Sequence, residues 1–89
     1  MELDQRGTQV ILTPAELRAL EWIGSLYSII GAYDSKRIRI VMRWAESYNI
    51  DARMRKRLRR LARHGLVRGR STGAYQITRF GLKFIGVRT

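Results

Sequence analysis

Apolar residues in the first third of the chain recur at helical spacing. Thr13, Pro14 and Glu16 precede them as a helix start, because threonine caps the first turn, proline tolerates the first helical position and glutamate completes a capping box. The apolar residues then return about every 3.6 positions. The pattern predicts helix 1 over residues 14–30, after an N-terminal segment, residues 1–12, that could add a short strand or clasp.

A second apolar stripe follows the opposite side of helix 1. A chain of 89 residues can hardly bury a helix on two sides by itself, so this stripe predicts a subunit interface. Ile40 and Trp44 also point away from the core positions of the next predicted helix, where either a second subunit or the N-terminal segment could cover them. The sequence therefore predicts a homodimer. Its predicted interface residues are Trp22, Leu26, Ile29, Ile40 and Trp44.

Capping residues mark the later elements. Ser35 and Asp51 are suitable N-caps, and Gly65 stands where a left-handed residue ends a helix. Two short strand patterns surround a Ser-Thr-Gly tip, which is typical of a β-hairpin. The predicted elements are helix 2 over residues 36–47, helix 3 over 52–64, a hairpin over 66–78 and a C-terminal helix over 79–86.

Helix 3 combines an apolar stripe with a dense set of cations. Met54, Leu58 and Leu61 share one face, so the basic residues between them belong to an ordered amphipathic helix and not to a disordered arm. The outward face is predicted to carry Ala52, Arg53, Lys56, Arg59, Arg60 and Arg63, with Arg55 and Arg57 on its flanks.

Positive charge is concentrated in the second half of the chain. The formal net charge is +11, yet residues 1–50 hold as many acidic as basic residues. The whole excess lies in residues 51–89, which contain Asp51 as their one acid. A surface built from this half would carry a strong positive field, and a polyanion is the expected partner.

Several classes of protein are disfavoured by what the sequence lacks. There is no cysteine and one histidine, His64, so disulfide scaffolds, thiolate zinc sites and cysteine nucleophiles are excluded. No paired carboxylate cluster or glycine-rich phosphate loop is present. We therefore expect a protein without catalytic activity, cofactor or metal. Since no apolar run could span a bilayer, we also expect a cytoplasmic protein that does not insert in a membrane.

Two local runs carry a resemblance to a known family. Leu58-Arg59-Arg60-Leu61 leads into Gly65-Leu66-Val67, and Tyr75-Gln76-Ile77-Thr78 is followed by Gly81. These runs resemble the winged helix-turn-helix superfamily, in the form found in small prokaryotic, archaeal or viral transcription regulators. The resemblance covers residues 50–85 well. It implies a mainly α domain over residues 13–89, with a three-helix core, a two-stranded wing and a short C-terminal helix.

Helix 3 and the wing are the expected nucleic-acid contacts. An α-helix fits the major groove of B-DNA, so we expect Arg53 and Lys56 at base edges and Arg59, Arg60 and Arg63 at phosphates. The flanking Arg55 and Arg57 are expected to reach further phosphates, and the small Ala52 is expected to lie close to the floor of the groove. The resemblance implies that the wing enters the minor groove or follows phosphates, through Arg68, Arg70, Ser71 and Thr72. The start of helix 2 favours a further phosphate at Ser35, Lys36 and Arg37.

The function expected from these features is sequence-specific binding of duplex DNA by a transcription regulator associated with the nucleoid. One alternative is a nucleoid-type protein that coats DNA without reading its sequence. Another is an RNA-binding or nucleoprotein assembly module. A basic helix lying on a membrane surface is a weaker alternative, because the apolar face of helix 3 is needed for the core.

Overall fold

The computed structural model describes residues 9–30 and 39–87 of the chain. Within these ranges three α-helices combine with two antiparallel two-stranded sheets, so the fold mixes α and β. The elements are α1 Pro14–Gly24, β1 Tyr27–Ile30, β2 Arg39–Met42, a 3-10 turn Ser47–Asn49, α2 Ala52–Arg63, β3 Val67–Gly69, β4 Tyr75–Ile77 and α3 Arg79–Phe84.

Helix α1 starts at the predicted residue but is shorter than predicted. The Thr13 hydroxyl accepts the Glu16 N–H, and the Glu16 carboxylate accepts the Thr13 N–H, which completes the capping box. The helix ends at Gly24, where the Ser25 hydroxyl donates to the Trp22 carbonyl at 2.6 Å. The prediction of one helix over residues 14–30 is therefore wrong beyond Gly24.

Two paired strands, β1 and β2, take the place of the end of helix 1 and part of helix 2. Strands β1 and β2 pair Tyr27 with Met42 and Ile29 with Ile40. Aromatic and β-branched residues suit a pleated surface, and here pairing across the strands outweighs the helical spacing that we read from the sequence. The prediction of helix 2 is wrong over residues 39–47, and its first residues, 36–38, lie outside the described residues.

The core lies between the three helices and the β3–β4 hairpin. Its fully buried large side chains are Leu20, Ile23, Leu58, Leu61, Leu66, Ile77, Leu82 and Val67. Val10 is also buried and Leu12 packs against the same cluster, whereas Ile11 is exposed. Residues 10–12 therefore add to the core from the N-terminal side.

Helix α2 has the predicted position and the predicted caps. The Asp51 carboxylate accepts the Met54 N–H at 2.7 Å, and the chain leaves the helix at Gly65 with φ of 75°. The Leu66 N–H then bonds the Leu61 carbonyl at 3.1 Å, the hydrogen bond of a Schellman motif. Since Leu58 and Leu61 are fully buried, the amphipathic stripe is oriented as predicted.

The β3–β4 hairpin and α3 also lie where they were predicted. Residues Arg70 to Gly73 form the turn, which Gly73 closes with φ of 86°. Ala45 pairs with Tyr75 through hydrogen bonds in both directions, so the chain after β2 lies beside β4. In the described part of the chain, no helix has the length and apolar character that crossing a bilayer requires.

Candidate nucleic-acid interface

The outward side of α2 is exposed at every position that the sequence assigned to it. We call its five cations, Arg53, Lys56, Arg59, Arg60 and Arg63, the α2 face; all are exposed, as is Ala52. The buried stripe fixes the rotation of the helix about its axis, and this rotation turns the α2 face away from the core. Five cations are thus presented on one ordered helix.

Arg55 is directed at the protein. It is half-buried, and one terminal nitrogen donates to the Ser47 carbonyl at 3.2 Å. Its buried Nε has no hydrogen-bond partner among the described residues. Arg55 therefore ties the first turn of α2 to the preceding 3-10 turn, whereas the sequence predicted it as a nucleic-acid contact. Arg57, on the other flank, is also half-buried.

Arg60 is paired with an acid from α1. Its Nε lies 3.5 Å from a carboxylate oxygen of Glu16, whose side chain is only 5% exposed, whereas the Arg60 side chain is 59% exposed. The other carboxylate oxygen of Glu16 accepts the Thr13 N–H. The pair joins the start of α1 to the middle of α2 and partly neutralises one cation of the α2 face.

We call the β3–β4 hairpin, Val67 to Ile77, the wing, and its two arginines are held by an indole ring. The guanidinium carbon of Arg70 lies 4.2 Å from the centre of the Trp44 ring, and that of Arg68 lies 5.3 Å from it. These distances are within the range of cation–π attraction. Trp44 precedes the residue that pairs with β4, so the pairing positions its ring under the wing cations.

A buried glutamine holds Arg68 from the other strand. The Arg68 Nε donates to the Gln76 side-chain oxygen at 2.8 Å, and the Gln76 amide donates to the Met42 carbonyl. Gln76 is almost completely buried and lies directly across the hairpin from Arg68. Arg68 therefore has restricted side-chain freedom before any ligand binds, which lowers the entropy cost of a contact.

The wing tip approaches the start of α2. Ser71 and Thr72 are exposed at the tip. A Cβ placed on Gly73 would lie 3.5 Å from the Cβ of Ser47, the residue whose carbonyl binds Arg55. The 3-10 turn is thus adjacent to both elements, and it brings the wing and the first turn of α2 together. The remaining predicted contacts, Ser35, Lys36 and Arg37, lie outside the described residues.

The residues predicted to form a dimer interface do not share one helical stripe, because Ile29 and Ile40 belong to the β1–β2 sheet. Ile29 is half-exposed at 50% and Ile40 packs against the core. Trp22, Leu26 and Trp44 instead line a surface groove with a volume of about 520 Å³. The predicted second stripe along helix 1 is therefore wrong, because α1 ends at Gly24 and Ile29 lies in β1, and the homodimer stays a prediction.

Sequence reasoning missed three structural roles near this surface. Glu16 was assigned to a capping box alone, and its contact with Arg60 depends on tertiary packing. Trp44 was predicted to form part of a subunit interface, and its contact with the two wing arginines was not predicted. Gln76 could have been found, because alternation within the hairpin places it opposite Arg68 and away from the side of Tyr75 and Ile77.

Residues 9–30 and 39–87 contain no group of three or more histidine, cysteine, aspartate or glutamate side chains placed to hold a metal ion. No family model, curated protein or solved structure matches this chain. The arrangement of cations on α2 and on the wing is therefore the feature that bears on function.

Proposed function

We propose that the protein binds duplex DNA, with α2 in the major groove and the wing on the adjacent backbone or in the minor groove. The observation that carries the proposal is the α2 face: five exposed cations on a capped helix whose opposite side is buried. Because the buried side anchors the helix, the cations keep a fixed spacing. That spacing is what an interaction with a regular polyanion requires.

The chemistry of the α2 face suits both bases and phosphates. Arginine can donate two hydrogen bonds to O6 and N7 of guanine, and side chains near the start of a recognition helix reach base edges. We assign Arg53 and Lys56 to this role. Arg59, Arg60 and Arg63, which follow along the helix, would hold backbone phosphates.

The wing supplies a second point of contact on the same duplex. Trp44 and Gln76 restrain Arg70 and Arg68, so two guanidinium groups are preorganised beside the exposed tip. The 3-10 turn keeps this tip near the start of α2. Arginines on such a tip are suited to a narrow minor groove or to the phosphates along it.

We infer that the protein is a winged helix protein with an altered middle helix. The pairing of Ala45 with β4, followed by α2 and the β3–β4 hairpin, is compatible with that architecture. The 3-10 turn Ser47–Asn49 would then stand where such folds carry their second helix. This inference rests on the order of elements and on the sequence runs around Gly65 and Thr78.

Readout of base sequence distinguishes a regulator from a coating protein, and two variants test it. Arg53→Ala should weaken binding to a duplex selected from a random library by about 1–3 kcal/mol and weaken binding to random duplex much less. Arg59→Ala should weaken both equally, because a phosphate contact is independent of sequence. Affinities of both duplexes for the two variants and for the unaltered protein, at one salt concentration, measure the difference.

One outcome would contradict the readout of base sequence, and another would contradict duplex binding itself. If the selection yields no motif and both variants weaken all duplexes alike, the protein coats DNA without reading it. If structured RNA competes better than duplex DNA of equal length, the α2 face serves an RNA or a nucleoprotein assembly. Arg18→Ala, an exposed cation on α1, is the control that should leave every affinity unchanged.

A further inference from the structure

A surface groove with three aromatic residues lies beside the wing. Trp22 and Leu26 come from the end of α1 and the turn after it, and Trp44, Tyr48 and Asn49 come from the chain that leads into α2. Its volume of about 520 Å³ is within the roughly 300–1,000 Å³ typical of small-ligand sites. We call it the aromatic groove.

Tyr48 is the feature of the aromatic groove that folding does not explain. Its side chain is 84% exposed, more than the other exposed large apolar side chains of residues 9–30 and 39–87, of which Ile11 follows at 75%. An exposed ring makes little contribution to the stability of the fold. Next to two tryptophans, however, it completes a set of flat surfaces on which a planar group can stack.

The charges around the aromatic groove favour an anionic ligand. Arg43 lines the groove and is exposed. The guanidinium carbon of Arg70 lies 4.2 Å from the centre of the Trp44 ring, so a second cation is next to the groove. Glu46 and Asn49 also line the groove. A carboxylate and an amide can accept hydrogen bonds from amino groups on the edge of a base, whereas the arginines suit phosphate oxygens.

We propose that the aromatic groove binds an unpaired nucleobase of single-stranded nucleic acid, with the flanking phosphates on Arg43 and Arg70. Aromatic rings combined with a cationic surface are the usual means of binding single strands. The occupant that competes with this proposal is a second copy of the chain, and the sedimentation measurement below distinguishes the two. The site shares Arg70 with the wing but includes no residue of the α2 face, and an unpaired base is a different ligand from duplex DNA.

The test measures the affinities of two single strands of equal charge for the Trp22→Phe variant, in which Trp44 is the one tryptophan left. A hexamer of deoxyadenylate should quench Trp44 fluorescence and bind on the order of 10-fold more tightly than a hexamer of abasic deoxyribose phosphate. Adding Tyr48→Ala should reduce the affinity for the deoxyadenylate hexamer to that of the abasic one. Ile11→Ala, which removes an exposed apolar side chain outside the groove, should change neither affinity.

Equal affinity for the two hexamers, without quenching, would overturn the proposal. So would a sedimentation measurement in which Tyr48→Ala converts a dimer into a monomer while the preference for the base-containing hexamer persists. Neither result bears on duplex binding, which depends on the α2 face and is measured with Arg53→Ala. Conversely, Tyr48→Ala should leave duplex affinity unchanged, so the two proposals can fail separately.

Discussion

Glu16 connects two helices through one buried carboxylate. One oxygen accepts the backbone N–H of Thr13 and the other lies 3.5 Å from Arg60 Nε. A buried carboxylate that loses its cation retains its desolvation cost, whereas an exposed arginine without an acid costs almost nothing. Cations of the α2 face are therefore unequal in their effect on stability, although the sequence presents them as a uniform row.

Arg60→Ala should lower the free energy of unfolding, because it leaves the buried Glu16 carboxylate without this partner. The loss should be only about 1 kcal/mol, because Arg60 itself is largely exposed to solvent. Arg59→Ala, one residue earlier and also exposed, should leave it unchanged. Urea unfolding of the two variants measures the difference. Equal stability of both would mean that the contact with Glu16 contributes nothing to the fold.

Arg60 should also contribute less than Arg59 to DNA affinity, since a phosphate must compete with Glu16 for its guanidinium. The same two variants measured for binding give this comparison. The sequence could not have revealed the inequality, because Glu16 and Arg60 are distant in the chain and meet only when α1 packs on α2.

At the scale of the element, α2 and the hairpin that follows were predictable because their signals are local and agree. The cap at Asp51, the apolar period through Leu58 and the glycine at Gly65 all indicate the same helix. The region between Gly24 and Ser47 was mispredicted because its apolar residues suit a helical period and a strand alike. Pairing between β1 and β2, a non-local interaction, decides the outcome there.

Helix α3 packs closely against the start of the wing. The Thr78 hydroxyl lies 2.6 Å from the Gly65 carbonyl and accepts the Gly81 N–H at 3.0 Å. A Cβ on Gly81 would collide with the Leu66 carbonyl oxygen and lie 2.8 Å from Ile77 Cγ1. The Thr-x-x-Gly spacing is thus explained by contact between the two elements, and not by the backbone angles of the glycine.

Gly81→Ala should lower the stability by about 1–3 kcal/mol, the usual cost of overpacking. Helix propensity alone predicts the opposite, a gain of up to about 1 kcal/mol for alanine over glycine inside a helix. The sign of the change in Tm therefore tests the close packing directly. Lys83→Ala, at an exposed position of the same helix, is the control and should leave Tm nearly unchanged.

At the scale of the whole molecule, the charge divides the chain into a neutral half and a cationic half. The neutral half supplies α1 and the β1–β2 sheet, and the cationic half supplies α2, the wing and α3. The sequence alone predicted this division and the exposed positions of α2. It could not predict the contacts that join the halves, such as Trp44 with Arg70, because these depend on how the β1–β2 sheet places the chain beside β4.

Binding to duplex DNA should therefore weaken steeply with salt. With ~6–10 phosphates contacted, the logarithm of the association constant should fall at about −0.9 per phosphate, a loss of about 10³–10⁵ between ~50 and ~200 mM salt. Arg59→Ala should make the slope shallower by about 1, whereas Arg18→Ala on α1 should not change it. An affinity independent of salt would contradict a phosphate interface.

The junction between α2 and β3 consists of His64, Gly65 and Leu66, and it is closed by backbone hydrogen bonds to the last turn of the helix. These hydrogen bonds hold α2 and the wing in a fixed relative orientation, so the spacing between their cations is also fixed. If the α2 face and the wing bind one duplex together, as we propose, their fixed spacing should suit the groove dimensions of the B form and not the deep, narrow major groove of the A form.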